Sequence, residues 1–230
     1  MNTATKSYFA DRGKLIFLSL VLVLTGQVSA RQKDAVGWLT IAGEKKFRNG
    51  WSVTGMNQYI FNQNYSELGL YFFDSGINFK YNDHWAISGN ARLSNARNLD
   101  NFYENRTMIY SDLSYTKGFG KLGISVRTRL QRQYYGLGFA ENTNRDPRNI
   151  SRNKMTIRYR LDGYWTAYLN AELFYRFDKN VFNATRYGGG IYYQVNLHHR
   201  LEIYYLLQMN QHSSSPRNDY ISGLSYAYRF

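Results

Sequence analysis

The sequence predicts an all-β fold: a transmembrane antiparallel β-barrel of about twelve strands, ten being the alternative, behind a cleaved signal peptide. Three observations predict it. Apolar and polar residues alternate at a period of two in run after run, as in "KMTIRYRLDGYW" from Lys154, where Ile157, Tyr159 and Leu161 interleave with Arg158 and Arg160. Aromatic residues reach 17%, with 22 Tyr and 14 Phe, although mean hydropathy is only −0.54. The start of the chain has the build of an export signal.

That signal occupies residues 1–30. Lys6, Arg12 and Lys14 make a basic start, Leu15 to Leu24 form an apolar run too short to span a bilayer, and Val28 and Ala30 suit a cleavage site. Residues 31–230 are then the barrel, with no room for a second domain. The formal charge is +13, and the signal accounts for two of it. The chain has no cysteine, which excludes a disulfide scaffold and a lipidated cysteine. After Ala30 no stretch has the length and apolarity of a spanning helix. Only Pro147 and Pro216 interrupt the backbone donors, and both fall in polar segments, as a fully paired sheet demands.

The elements follow in order. Short turns are expected at "RNG" before Trp51, "NDH" before Trp85, "GFG" after Lys117, "DGY" before Trp165 and "LHH" before Arg200. Longer polar loops are expected over 62–67, 95–106, 134–149, 178–183 and 212–218, so short and long connections alternate, as in bacterial barrels. Between them the pleat assigns faces. Trp51, Val53 and Tyr59 oppose Ser52, Thr54 and Gln58, and Leu122, Ile124, Val126 and Leu130 oppose Ser125, Arg127, Arg129 and Gln131. Bacterial barrels have even strand numbers, so the eleven clear runs imply one more hidden near 31–47, or a Val36–Phe47 run left outside the wall.

Trp51, Trp85 and Trp165 each directly follow a short turn. That places them in one interfacial girdle, where an indole keeps its ring apolar and its N–H wet. The last strand, "GLSYAYRF", sets Tyr226, Tyr228 and Phe230 on one face. It resembles the C-terminal signal read by the barrel assembly machinery, with Ser225 where glycine is common.

With the apolar stripes facing lipid, the charged stripes face the interior, because Arg or Lys on the lipid face costs about 2–4 kcal/mol at mid-depth. The inward bases are Arg92, Arg127, Arg129, Lys154, Arg158, Arg160, Arg176 and Arg186, with Lys80, Arg200 and Arg229. The inward acids are Asp112, Glu172 and Glu202, with Asp74. The surplus suits either a water-filled anion-favouring pore or an ion-pair network filling a narrow barrel. Arg97, Arg106, Arg145 and Arg148 are placed in loops, where they would meet lipopolysaccharide. Four scattered histidines, His84, His198, His199 and His212, offer no transition-metal motif, and none shares a strand with a suitably spaced serine. Catalysis and cofactors are therefore not expected. The glycines of "YGGGIYY" lie on a strand and make room for bulky neighbours.

"SVRTRLQRQYYG", "NKMTIRYRLDGYW", "AELFYRF" and "ATRYGGGIYYQVNLHHRLEIYYLLQMNQ", in that order, together resemble a domain-of-unknown-function family of small, porin-like outer-membrane barrels of Gram-negative envelopes. The resemblance covers about residues 36–230. It sets Arg127, Arg129, Arg158, Arg160, Glu172 and Arg186 at the family's charged positions, with Gln131 where glutamate is commoner. It implies the fold and carries no activity. The expectation is an outer-membrane protein, a small passive channel with a basic interior. The alternative is a non-conducting structural or interaction barrel, and a lipid-modifying enzyme is a remote third. The partners expected are outer-membrane lipid and lipopolysaccharide, the assembly machinery and small anionic solutes, with no nucleic acid.

Overall fold

A computed structural model describes residues 32–98, 101–136, 146–211 and 217–230. The export signal, Arg145, His212 and Pro216 lie outside these residues. Eleven strands make one closed sheet: β1 (Gln32–Lys46), β2 (Trp51–Asn62), β3 (Glu67–Lys80), β4 (Trp85–Arg97), β5 (Tyr103–Phe119), β6 (Leu122–Tyr135), β7 (Arg148–Arg160), β8 (Trp165–Arg176), β9 (Val181–Gln194), β10 (His199–Asn210) and β11 (Arg217–Arg229). Each pairs antiparallel with the next, and β1 meets β11 to close the wall. Among the described residues no helix is long and apolar enough to cross a membrane, which says nothing against crossing by strands.

The strand count corrects the expectation of twelve. Residues 32–46 hide no second strand, and they do not stand apart as ten would require; they form one strand of the wall. Since eleven strands alternate in direction, β1 and β11 run parallel. Contacts at both ends of this seam agree. Arg217, at the start of β11, reaches Asp34 near the start of β1 at 3.6 Å. Arg229, at the end of β11, reaches Glu44 near the end of β1 at 3.2 Å, and the amide of Phe230 donates to the carbonyl of Glu44 at 2.9 Å. A parallel pair hydrogen-bonds as completely as an antiparallel one, so an odd number still leaves no free edge.

The alternation of face holds round the wall except at two register shifts, between Ile60 and Phe61 and between Phe174 and Tyr175. Ile77, Leu130 and Ile203 point outward and are more than half exposed, while Ser52, Gln58, Asp74, Thr156 and Asn170 on the opposite faces are buried. The interior is not wholly polar: Val36, Leu206 and Ile221 form a small apolar cluster, with Trp38, Ile60 and Tyr204 packed on it.

The connections are more even than the sequence suggests. Residues 63–66 and 177–180 are turns as tight as 81–84 or 161–164, because β2, β3, β8 and β9 run into segments whose polar residues read as loops. Arg97 and Arg106, expected in a loop, likewise lie in β4 and β5, and Arg148 begins β7.

At the short-turn end one device recurs. Asn82 accepts backbone hydrogen bonds from His84 and Trp85, each at 2.8 Å. Asp162 accepts from Tyr164 and Trp165, each at 2.7 Å, and Asn196 from His198 and His199, each at 2.9 Å. These are Asx turns, in which a short side chain mimics the missing backbone acceptor. The residue ending each turn then packs against the tyrosine opposite it on the next strand: Trp85 on Tyr115, Trp165 on Tyr193 and His199 on Tyr228. Trp51 follows a different, 3₁₀ turn over Arg48–Gly50 and packs on Phe79. There Gly50 has φ +81° with the Lys80 carbonyl where a Cβ would go, so only glycine fits.

Candidate functional site

The interior charges converge on one carboxylate. Strand pairing sets Asp219, Gln208, Arg186, Glu172, Lys154 and Arg127 side by side across β11 to β6. One pair along β6 and β7, Arg129 lies directly opposite Arg152. Like charges in that position repel. Each is neutralised from another direction. Asp112 takes Arg129 in a two-pronged contact at 2.7 and 2.8 Å. Glu172 takes Arg152 at 3.1 Å on both oxygens, Arg127 at 2.8 Å from two strands away, and Arg186 at 3.4 Å.

Glu172 is 1% exposed. A carboxylate so enclosed persists as a charge only because three guanidinium groups satisfy its oxygens. The balance still favours the bases, since Arg127, Arg129, Arg152, Lys154 and Arg186 face Glu172 and Asp112. Lys154, half-buried, makes no hydrogen bond or ion pair among the described residues. The rings around the site take part as well: Arg129 lies over Tyr110 at 3.7 Å, Arg152 over Phe174 at 4.6 Å, and Arg186 over Trp38 at 4.9 Å. The last contact reaches over β10 and β11, from β9 to β1.

A second group sits on β3, β4 and β5. Asp74 binds Arg92 at 2.9 and 2.5 Å and accepts from the Tyr110 hydroxyl at 2.7 Å, while Arg92 stacks over Phe72 at 3.7 Å. Tyr110 therefore joins the two groups. A cavity of about 430 Å³ lies between them, touched by Trp38, Arg92, Arg127, Lys154, Glu172 and Tyr204. Another of about 710 Å³ opens from the short-turn end; Met56 and Tyr110 border both.

Of the residues expected inside, Arg92, Arg127, Arg129, Lys154, Arg186, Asp74, Asp112 and Glu172 belong to these two groups. The others lie elsewhere. Arg158 and Arg160 sit towards the short-turn end, with no ion pair among the described residues. Arg176 is at the opposite rim, paired with Asp178. Glu202 accepts from the Tyr168 hydroxyl at 2.5 Å rather than from a base. Tyr226, Tyr228 and Phe230 share the outward face. Arg97 and Arg106 are held by Glu67 and Glu104, at 2.6 and 2.9 Å. His84 and His198 are turn residues and His199 opens β10, with ring nitrogens on the Thr116 and Arg229 carbonyls and the Tyr226 hydroxyl respectively.

Sequence reasoning missed Arg152, although it shares the stripe of Lys154 and Arg158. It also missed Trp38, although the twelve-strand reading kept its run in the wall, and Tyr110, whose role depends on two other strands.

Outside the strands, three acids are held below the ordinary carboxylate range. Hydrogen bonds from the Trp165 and Tyr164 amides lower Asp162, the Lys80 ammonium lowers Asp83, and Arg176 lowers Asp178.

Among solved structures, the chain is similar to the NanC porin, at 14% identity over 76% of this chain and 86% of that one, with a TM-score of 0.48. It is also similar to an anion-selective porin from Comamonas acidovorans, at 12% identity over 78% of this chain and 53% of that one, with a TM-score of 0.37. No curated protein matches. The family profile described as "Protein of unknown function (DUF2490)" matches residues 36–219, and the chain belongs to that family.

Proposed function

We propose that the protein is an outer-membrane β-barrel that passes small anions through a narrow, positively charged interior. The outward apolar belt supports the membrane setting, since so much exposed Leu, Ile, Val and aromatic surface has no place in water. One observation carries the anion preference: five cations share two carboxylates at the waist, with Lys154 unpaired among the described residues and a cavity beside it. An interior of that sign favours anions over cations. Further down, Arg158 and Arg160 continue the same sign towards the wider cavity at the short-turn end.

The test is conductance and reversal potential of the mature chain in a planar bilayer under a salt gradient. Small stepwise currents with anion preference are expected. Arg158→Glu, which breaks no ion pair among the described residues, should shift the reversal potential towards cation preference, and Arg127→Glu should do so more strongly. An unchanged preference in both variants would overturn the anion reading.

A second reading is a non-conducting barrel whose loops meet a partner. It is favoured by the stacking of Arg186 over Trp38 inside the barrel and by the apolar cluster of Val36, Leu206 and Ile221. Correctly folded protein that carries no current would favour it.

A further inference from the structure

The central cavity holds polar groups that the protein itself leaves without partners. Asn170 is 8% exposed, yet its side-chain oxygen accepts no hydrogen bond. The Nε–H of Arg127 and the indole N–H of Trp38 are buried without acceptors. Lys154 has no hydrogen-bonded or ion-paired partner among the described residues. All four residues line the same cavity of about 430 Å³. Buried donors and acceptors normally find partners, so such a concentration at one cavity calls for an occupant that completes them.

Its chemistry follows from what is missing. Three unfilled donors, two of them cationic, call for an anion, and a planar oxyanion matches the guanidinium edge. The one unfilled acceptor, on Asn170, calls for a hydroxyl. Trp38 and Tyr204 meet edge to face with centroids 6.4 Å apart, supplying an apolar wall that an inorganic ion would not use. The glycines keep that wall in place: a Cβ on Gly223 would fall 2.0 Å from the Tyr204 ring, and one on Gly190 would meet both Tyr204 and the Tyr168 hydroxyl.

We propose that this cavity is a binding subsite for a small organic hydroxy-carboxylate. Its carboxylate is held by Lys154 and Arg127, its hydroxyl by Asn170, and its carbon face by Trp38 and Tyr204. A cavity of this size suits a ligand of modest dimensions. The inference deepens the channel reading and rests on it for the route by which solute arrives.

Tryptophan fluorescence of the folded mature chain, titrated with mandelate, tests it independently of current. Trp51, Trp85 and Trp165 lie on the outward face, so a saturable change that disappears in Trp38→Phe reports the cavity. Lys154→Met should weaken binding at least about tenfold, the scale of a lost charge-assisted hydrogen bond, and the milder Lys154→Gln should weaken it in the same sense. Mandelamide, without the charge, should bind at least about tenfold more weakly than mandelate for the same reason. Inorganic phosphate, which keeps the charge but buries no carbon face against Trp38 and Tyr204, should lose at least about tenfold through the missing apolar contact. Anion-selective current with no saturable mandelate signal would overturn the subsite and leave the channel standing. A saturable, Trp38-dependent signal in a barrel that carries no current would uphold the subsite and overturn the channel. Phosphate binding as tightly as mandelate would overturn the organic-ligand assignment.

Discussion

Glu172 is the residue on which the interior depends most. Replacing it with glutamine removes the charge facing Arg127, Arg152 and Arg186 while leaving them enclosed. The cost of orphaning buried charges in this way is about 3–5 kcal/mol. Glu172→Gln should therefore lower the denaturant midpoint of the refolded barrel markedly, whereas Arg158→Gln, which strands no partner among the described residues, should leave it within about 0.5 kcal/mol. Asp162 illustrates the opposite case, a carboxylate whose role needs only an acceptor. Asn82 and Asn196 do the same work in the equivalent turns, so Asp162→Asn should fold and pair like the wild type at neutral pH. The backbone amides hold the Asp162 carboxylate below its ordinary range. Its contribution is therefore complete above the unfolded value, about pH 4, and is lost as pH falls through the lower folded value. The variant should match the wild type near neutrality and become the more stable of the two only in acid. Unfolding midpoints for both proteins across that range would check this.

The strands carry two features that no single residue explains. The first is the parallel seam between β1 and β11, with Asp34–Arg217 at one end and Glu44–Arg229 at the other. Both arginines are partly exposed, so each pair contributes little, about 0.2–1 kcal/mol. Arg229→Glu should cost about that much and also set two acids together at the end of the seam. Adding Glu44→Arg should restore the original stability, which a double-mutant cycle on the unfolding midpoint would measure. The second feature is the fit of β10 into its neighbours. Tyr204 lies over Gly190 on β9 and Gly223 on β11. Gly223→Ala should displace the ring and destabilise the barrel by about 1–3 kcal/mol, the usual range for overpacking. Tyr204→Ala in the same chain should recover much of that loss, despite the cavity it leaves. Recovery that fails in the double variant would mean the glycine serves the backbone and not the ring.

At the scale of the whole barrel, the measurable outcome is net charge along the passage. The waist and the short-turn end are both basic, so raising salt should screen the field and reduce anion preference, with bulk mobilities taking over as the Debye length falls to about 3 Å near 1 M. Reversal potentials at fixed salt ratio and rising concentration would check it. Much of this architecture was legible in the chain. A period of two tells each side chain which face it takes, since the pleat is a local property of the backbone. That rule alone sent Arg92, Arg127, Arg129, Lys154, Arg186, Asp112 and Glu172 inward and brought Trp51, Trp85 and Trp165 to the ends of strands. Three things it could not give. It could not say whether residues 32–46 join the wall, because a strand with no fixed partner satisfies the pattern equally well in either place. It could not rank the inward bases, because Arg158 and Arg127 are alike in parity and differ only in height along the barrel. It could not find Trp38 or Tyr110, whose partners include residues two or three strands away along the wall. The sequence by itself determined the faces, the turns and the surplus of positive charge. Only the tertiary structure decided which charges meet, because closure of eleven strands sets the register and diameter that bring Glu172 within reach of three arginines.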